Sequence, residues 1–182
     1  RPSFPRNIFE FQEWFSTEVA CMKFLIDSRW PDGFVCPNCG YSEYYWMETR
    51  KLLQCKNCKH QVSPTAGTVM HRSKMPLRLW FYAAYLVSTL TPGISALQLQ
   101  RQVGSKSYQT MFTMLHKLRS GMVRVGRDKI SGIVEVDETY VGGNEPGKRG
   151  RGAYGKVIVV GAVDVHDKYA NRVRLKVIPD VT

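Results

Sequence analysis

Two C-x-x-C pairs, a run of segments with helical apolar spacing, and a closing block of β-branched strands predict an α+β chain built of several modules in series. The 182 residues suit one sizeable domain or two small ones. With 43% apolar and 12% aromatic residues the chain can bury a real core, which argues against disorder. No apolar run reaches the roughly 18–20 residues of a membrane span. The best candidate, Leu77 to Leu90, is shorter and is broken by Arg78. The opening Arg1-Pro2-Ser3-Phe4-Pro5 lacks the basic-then-apolar layout of a signal peptide and does not begin with Met. Five cysteines, an odd number, fit poorly with a secreted disulfide framework, so a reducing cytosol is expected.

Residues 1–30 are expected to form an N-terminal helix. Ser16 to Ser28 places Val19, Met22, Leu25 and Ile26 on one face, and Trp30-Pro31 ends it. Cys21, inside that pattern, is expected to be a small buried apolar residue.

Residues 31–72 carry Cys36-Pro-Asn-Cys39 and Cys55-Lys-Asn-Cys58, with 15 residues between the pairs. Each pair can form a tight knuckle that aims two sulfurs at one centre, and two knuckles supply the tetrahedron of thiolates that a structural Zn²⁺ takes. Asp32-Gly33 and Gly40 give turns, and Tyr44-Tyr45-Trp46 and Leu52-Leu53-Gln54 read as short strands. This is a zinc-ribbon pattern. The alternatives are a redox C-x-x-C, which would open a helix in a βαβ setting absent here, or two disulfides. With four thiolates available, His60 is expected to stand aside, and the zinc is expected to fold the module without doing chemistry.

Residues 73–132 read as a basic helical segment. Leu77 to Ser88 is apolar nearly all round and follows Pro76, as a buried helix would. Ser95-Ala-Leu-Gln98 has capping-box spacing, and Gly104 closes that helix. Ser107 opens another, with Tyr108, Met111, Phe112, Leu115 and Leu118 at helical spacing and Gln109, Thr110, Thr113, His116 and Lys117 on the other face. Two helices joined by a short Gly-containing turn resemble a helix-turn-helix, although a plain bundle with a solvated face has the same pattern. Arg119, Arg124, Arg127 and Lys129 continue the basic trail. The segment holds nine Lys+Arg against one carboxylate, Asp128, and carries most of the +11 net charge. An excess so concentrated implies a polyanionic partner, with nucleic acid leading; a basic face that only aids solubility is the alternative.

Residues 133–182 are expected to be strands: Ile133 to Val141, Lys156 to Val165 and Arg172 to Ile178. The last two are close enough for a hairpin. The first two are joined by a Gly-rich loop carrying Lys148, Arg149 and Arg151. Asp137 lies within the first strand, where parity puts it with Glu135 and Thr139 and puts Glu138 on the opposite face. A carboxylate inside an apolar strand is costly unless paired or bound to metal, and Asp137 is expected to be half-buried; an exposed or ion-paired side chain is the plainer alternative.

The order WPDGFVCPNCG, CKNCKHQVSPTAGT, KMPLRLWF, a basic helical segment and VEVDETYVGG resembles the DDE-type insertion-sequence transposases that carry an N-terminal zinc ribbon. The resemblance spans essentially the whole chain. It implies a ribonuclease H-like catalytic domain beginning near Ile133, of which residues 133–182 would be the first three strands. It also implies that Asp137 is the first catalytic aspartate and a Mg²⁺ ligand. In such enzymes three acidic groups hold two Mg²⁺ ions that cut and join DNA phosphodiesters. The later acidic ligands of the family lie beyond the third strand, so this chain alone is expected to be inactive and to be truncated at its C-terminal side. Asp164 and Asp180 are not substitutes, because the family places no ligands there.

The resemblance implies double-stranded DNA as partner, both transposon terminal inverted repeats and target DNA. It also implies action as a homo-oligomer, no membrane association, and a cytoplasmic, nucleoid-associated location. Gln109, Thr110, Thr113, Lys117, Arg119, Arg124, Arg127, Lys129, Lys148, Arg149 and Arg151 are the candidate DNA contacts. A non-catalytic DNA-binding regulator derived from a transposase is the principal alternative, and a protein-binding zinc-ribbon adaptor a weaker one.

Overall fold

The structure is a computed structural model that describes residues 4–123, 126, 128–143, 155–166 and 169–180. It divides into two compact units, Arg1–Arg124 and Val125–Thr182. Among the described residues there are five helices and two three-stranded antiparallel sheets, an α+β architecture.

The first unit opens with two helices where the sequence predicts one. In α1 (Ile8–Trp14), Asn7 Oδ1 accepts from Glu10 N at 2.9 Å, while Glu10 Oε2 accepts from Arg6 N at 2.8 Å. This reciprocal capping starts a helix that apolar spacing alone does not announce. The chain breaks at Phe15, and Thr17 Oγ1 then caps α2 (Glu18–Arg29) by accepting from Ala20 N. The buried side of α2 is Cys21 and Met22, with Phe24, Leu25 and Ile26 packed behind them. Val19 is exposed rather than part of the apolar face.

After the ribbon strands β1 (Tyr44–Met47), β2 (Leu52–Cys55) and β3 (Gln61–Val62) comes α3 (Leu77–Thr89). Pro76, its N-cap, has no side-chain oxygen to offer. Glu18, at the start of α2, does the capping instead: its two carboxylate oxygens accept from Leu77 N at 2.8 Å and Arg78 N at 3.2 Å. An acidic group on free N–H donors at the positive end of the helix dipole is well placed.

α4 (Ala96–Val103) is capped by Ser95 and ends at Gly104 with φ 63°, the left-handed turn that glycine adopts without a Cβ clash. α5 (Tyr108–Met122) is capped by Ser107. Helices α1 to α5 share one core, in which Phe15 meets Phe81 and Phe24 at ring separations of 4.7 and 5.1 Å, and Phe11 meets Tyr85 at 4.8 Å. Met111, Met114 and Leu115 carry α5 into that core, whereas Tyr108 and Phe112, predicted on the same face, are exposed.

The second unit is the meander β4 (Val134–Val141), β5 (Val157–His166), β6 (Tyr169–Ile178). It is the three-strand block the sequence predicts, with β5 central. The register pairs Asp137 with Gly161 and Gly161 with Leu175, and a bulge interrupts β5 between Val163 and Val165. Among the described residues no helix is long and apolar enough to cross a membrane.

Candidate functional site

The two knuckles are built alike. Cys36 O accepts from Gly40 N, and Cys55 O accepts from Lys59 N, so each chain turns back just past its second cysteine. That turn needs a left-handed residue: Gly40 has φ 73° and Lys59 has φ 61°. The pairs cross over, with Cys36 Sγ 3.6 Å from Cys58 Sγ and Cys39 Sγ 3.6 Å from Cys55 Sγ, and all four sulfurs lie within 4.8 Å of one another. Four thiolates at about 2.3 Å from one Zn²⁺ stand about 3.8 Å apart, so the spacing fits a tetrahedral zinc. Cys36 and Cys55 are buried beside Phe34, Leu53 and Val62, a second small core.

The asparagine of each knuckle serves the other. Asn57 Nδ2 points at Cys39 Sγ, 3.9 Å away. The Asn38 side chain, with the His60 backbone N–H, lowers the Cys58 thiol to about 6, which favours the thiolate a metal requires. The repeated C-x-N-C spelling carries this signal in the sequence, beyond what the cysteine spacing alone conveys. His60 is outside the cluster, as expected. Cys21, buried in the helical core, is pushed up to about 11 by desolvation and then by Glu18, and stays a thiol.

On α5 the predicted DNA contacts separate into two groups. Gln109, Thr110, Thr113 and Lys117 line one groove of about 320 Å³, together with Arg72 and Lys74 from the segment ahead of α3. Arg119 lies elsewhere: its Nη2 donates to Ile94 O at 2.8 Å, which ties the turn before α4 to α5. It lines a separate cleft with Phe112 and His116, whose ring centres lie 4.2 Å apart at a tilt of 44°. Lys129 is exposed in the second unit. Arg124, Arg127, Lys148, Arg149 and Arg151 lie outside the described residues.

Asp137 is exposed, not half-buried. Among the described residues its own unit contains the β4–β6 sheet and no helix. Its Oδ1 accepts from Glu138 N at 2.9 Å. Across the strand stands Gly161, where an added Cβ would meet Leu175 Cδ2 at 3.5 Å, so no side chain crowds the carboxylate from β5.

Asp164, three positions further along β5, points to the opposite face and is fully buried. Arg172 Nε donates to its Oδ2 at 2.9 Å. Its Oδ1 is 3.0 Å from His166 Nε2, an ion-pair distance, but out of line for a hydrogen bond. Among the described residues the four cysteines are the one group of three or more His, Cys, Asp or Glu placed to hold an ion, so Asp137 has no completed metal site around it.

Comparison with known proteins places these pieces. Residues 16–61, from just before α2 through both knuckles, match a transposase zinc-ribbon domain, and residues 129–182, which include the whole β4–β6 sheet, match an ISXO2-like transposase domain. An uncharacterized protein in transposable element ISH50 of Halobacterium salinarum is 28% identical over an alignment covering 77% of this chain and 52% of that protein. The chain thus spans about half the length of the curated relative it matches. No solved structure matches. The cysteine cluster thus lies in a segment similar to transposase zinc ribbons, and the strand block in one similar to ISXO2-like transposase domains, in keeping with a relative from a transposable element.

Proposed function

We propose that this chain contributes the DNA-binding part and the first catalytic strand of a transposase that binds terminal inverted repeats and catalyses metal-dependent DNA cleavage and strand transfer. The observation that carries the reading is Asp137: an open carboxylate in the middle of β4, opposite a glycine, in the segment that matches the transposase domain. In this reading Asp137 is one of the acidic ligands of a Mg²⁺ site, and the other ligands come from sequence outside this chain. The ribbon and the α4–α5 pair hold the duplex, with the exposed face of α5 toward the bases and the surrounding cations on phosphates. The active form is a homo-oligomer that brings two transposon ends together.

In this reading the chain comprises an N-terminal helical segment (1–30), the ribbon (31–72), a basic binding segment (73–132) and the partial catalytic domain (133–182).

The test begins with the DNA around the gene. Inverted repeats on both sides, and a reading frame that continues into further strands and helices bearing acidic residues, are the expected finding; a frame without such residues ends the catalytic reading. In a cleavage assay of the complete polypeptide, Asp137→Asn abolishes strand cutting and leaves repeat binding intact.

A second reading, a non-catalytic regulator that occupies the repeats, is favoured by one observation: among the described residues Asp137 has no carboxylate cluster around it. Under that reading no cleavage is detected with either residue at 137, and repeat binding is the whole activity.

A further inference from the structure

From residue 49 to residue 127 the chain contains thirteen Lys+Arg and no Asp or Glu. Nothing in that stretch can neutralise a cation locally through a carboxylate. Two of its cations, Arg72 and Lys74, sit on the segment between the ribbon and α3, outside the residues matched to either transposase domain. That segment is held rigidly. Ser73 Oγ accepts from Trp80 Nε1 at 2.9 Å and from Met75 N at 3.1 Å, and Ser73 N donates to Met70 O. From the other side Lys117 Nζ donates to His71 O at 3.1 Å, which pins the segment to α5.

Within this frame Arg72 has φ 55°, a left-handed conformation that a residue with a Cβ rarely adopts. The fold keeps an arginine in a costly backbone geometry at an exposed position. The result is a groove about 320 Å³ in volume, lined by Arg72 and Lys74 from this segment and by Gln109, Thr110, Thr113 and Lys117 from α5. Its lining has three cations, several neutral hydrogen-bonding groups and no carboxylate.

We infer that this groove is a phosphate clamp: Arg72 and Lys74 each hold a backbone phosphate of duplex DNA beside α5, and so set the register in which Gln109 and Thr113 meet the bases. The inference rests on the proposal that α5 binds DNA. It adds the ribbon-to-α3 segment as a second, sequence-independent arm. A phosphodiester suits the groove better than an acidic peptide, because two cations fixed on a rigid segment and flanked by hydroxyl and amide donors match a regular line of phosphates. Duplex DNA is favoured over RNA because an exposed helix face fits a DNA major groove, whereas the deep, narrow major groove of duplex RNA excludes it.

The experiment measures binding of the zinc-loaded 182-residue chain to labelled mixed-sequence DNA duplexes by fluorescence anisotropy across a series of NaCl concentrations. The double variant Arg72→Gly, Lys74→Ala removes both charges while easing the left-handed residue, so zinc content and far-ultraviolet circular dichroism should be unchanged. The expected result is weaker binding to every duplex alike, with the slope of log K against log salt reduced in magnitude by about 1.8, two phosphate contacts' worth. Arg72→Lys, which keeps the charge, should retain the full slope. Wild-type affinity and slope in the double variant would overturn the clamp, as would weaker binding at an unchanged slope. A flat salt dependence in the unmodified protein would instead overturn the underlying DNA-binding proposal. Tighter binding to a duplex RNA of the same sequence would overturn the assignment to DNA.

Discussion

The unit from Arg1 to Arg124 and the unit from Val125 to Thr182 treat their apolar residues differently. In the first, sixteen buried residues drawn from both ends of the unit form one helical core, and the ribbon adds a smaller one. In the second, no apolar side chain is buried among the described residues, and the one fully buried side chain is the carboxylate of Asp164. Val136 is exposed on one face of the β4–β6 sheet, and Leu175 and Val177 on the other. An antiparallel sheet usually packs at least one face. The first unit is therefore held by burial, capping and its cysteine cluster, while the sheet that bears Asp137 is held, among the described residues, by its strand ladders and by the buried Asp164 carboxylate with its partners Arg172 and His166. Perturbations of the two units should be separable, and the size of each effect should follow from which kind of support is removed.

The largest effect is expected from the metal. Cys36→Ser leaves three thiolates for a site that needs four, and in small zinc modules the metal's binding free energy, about 10–16 kcal/mol in apparent terms, is the folding free energy. Zinc content should fall below one per chain, and the amides of β1–β3 should lose their protection from hydrogen exchange. The β4–β6 amides should keep theirs; their parallel loss would mean that the two units fold as one.

The mirror experiment strikes the second unit. Arg172→Met removes the hydrogen-bonding partner of a fully buried carboxylate and leaves it only the exposed His166 at ion-pair distance. Breaking a buried pair from one side costs about 3–5 kcal/mol, and the partial exposure of Arg172 points to the lower end. Amide protection in β5 and β6 should drop while zinc content stays at one. The double variant Arg172→Met, Asp164→Leu should recover much of the loss, since no charge is then left stranded; no recovery would show that the arginine acts through its packing rather than its charge.

These contrasts also mark what the sequence could reveal. Cysteine spacing made the ribbon legible because four sulfurs at one centre allow few geometries. Ser95, Gly104 and Ser107 announced the boundaries of α4 and α5 for the same reason: caps are local chemistry. Strand parity gave the opposite facing of Asp137 and Glu138. The burial of Asp137 was not legible, since it depends on what lies over the sheet rather than on the strand. Nor was α1, whose start is set by the Asn7–Glu10 exchange within a segment of mixed periodicity. The capping of α3 by Glu18 spans 59 residues, and no local pattern encodes it. Arg72 and Lys74 look like ordinary basic residues until the fold sets them beside α5.

That long-range cap gives the next effect in size. Glu18→Gln keeps an acceptor but removes the charge that meets Leu77 N and Arg78 N at the positive end of α3. Losing the charge at a cap of this kind costs about 1 kcal/mol, less than either change above. Thermal unfolding of the zinc-loaded protein should show a small drop in Tm at neutral pH. An unchanged Tm would show that a neutral acceptor serves the cap as well as the carboxylate.

The smallest effect is a gain, and it arises from the two knuckles within the ribbon. They share their backbone turn, yet the first places Gly40 at the left-handed position and the second places Lys59 there. A residue with a Cβ pays about 1 kcal/mol for that conformation, so Lys59→Gly should relieve the second knuckle. Against this stand the contacts Lys59 makes: its Nζ donates to Lys56 O at 2.9 Å and lies 5.7 Å from the Tyr45 ring centre. Both are exposed and individually weak, and glycine also loses more chain entropy on folding. The balance should be a stabilisation of about 0.5 kcal/mol or less, read as a slightly higher Tm at saturating zinc. A lower Tm would mean that the Lys59 side chain, held over Tyr45, contributes more to the second knuckle than its backbone conformation costs.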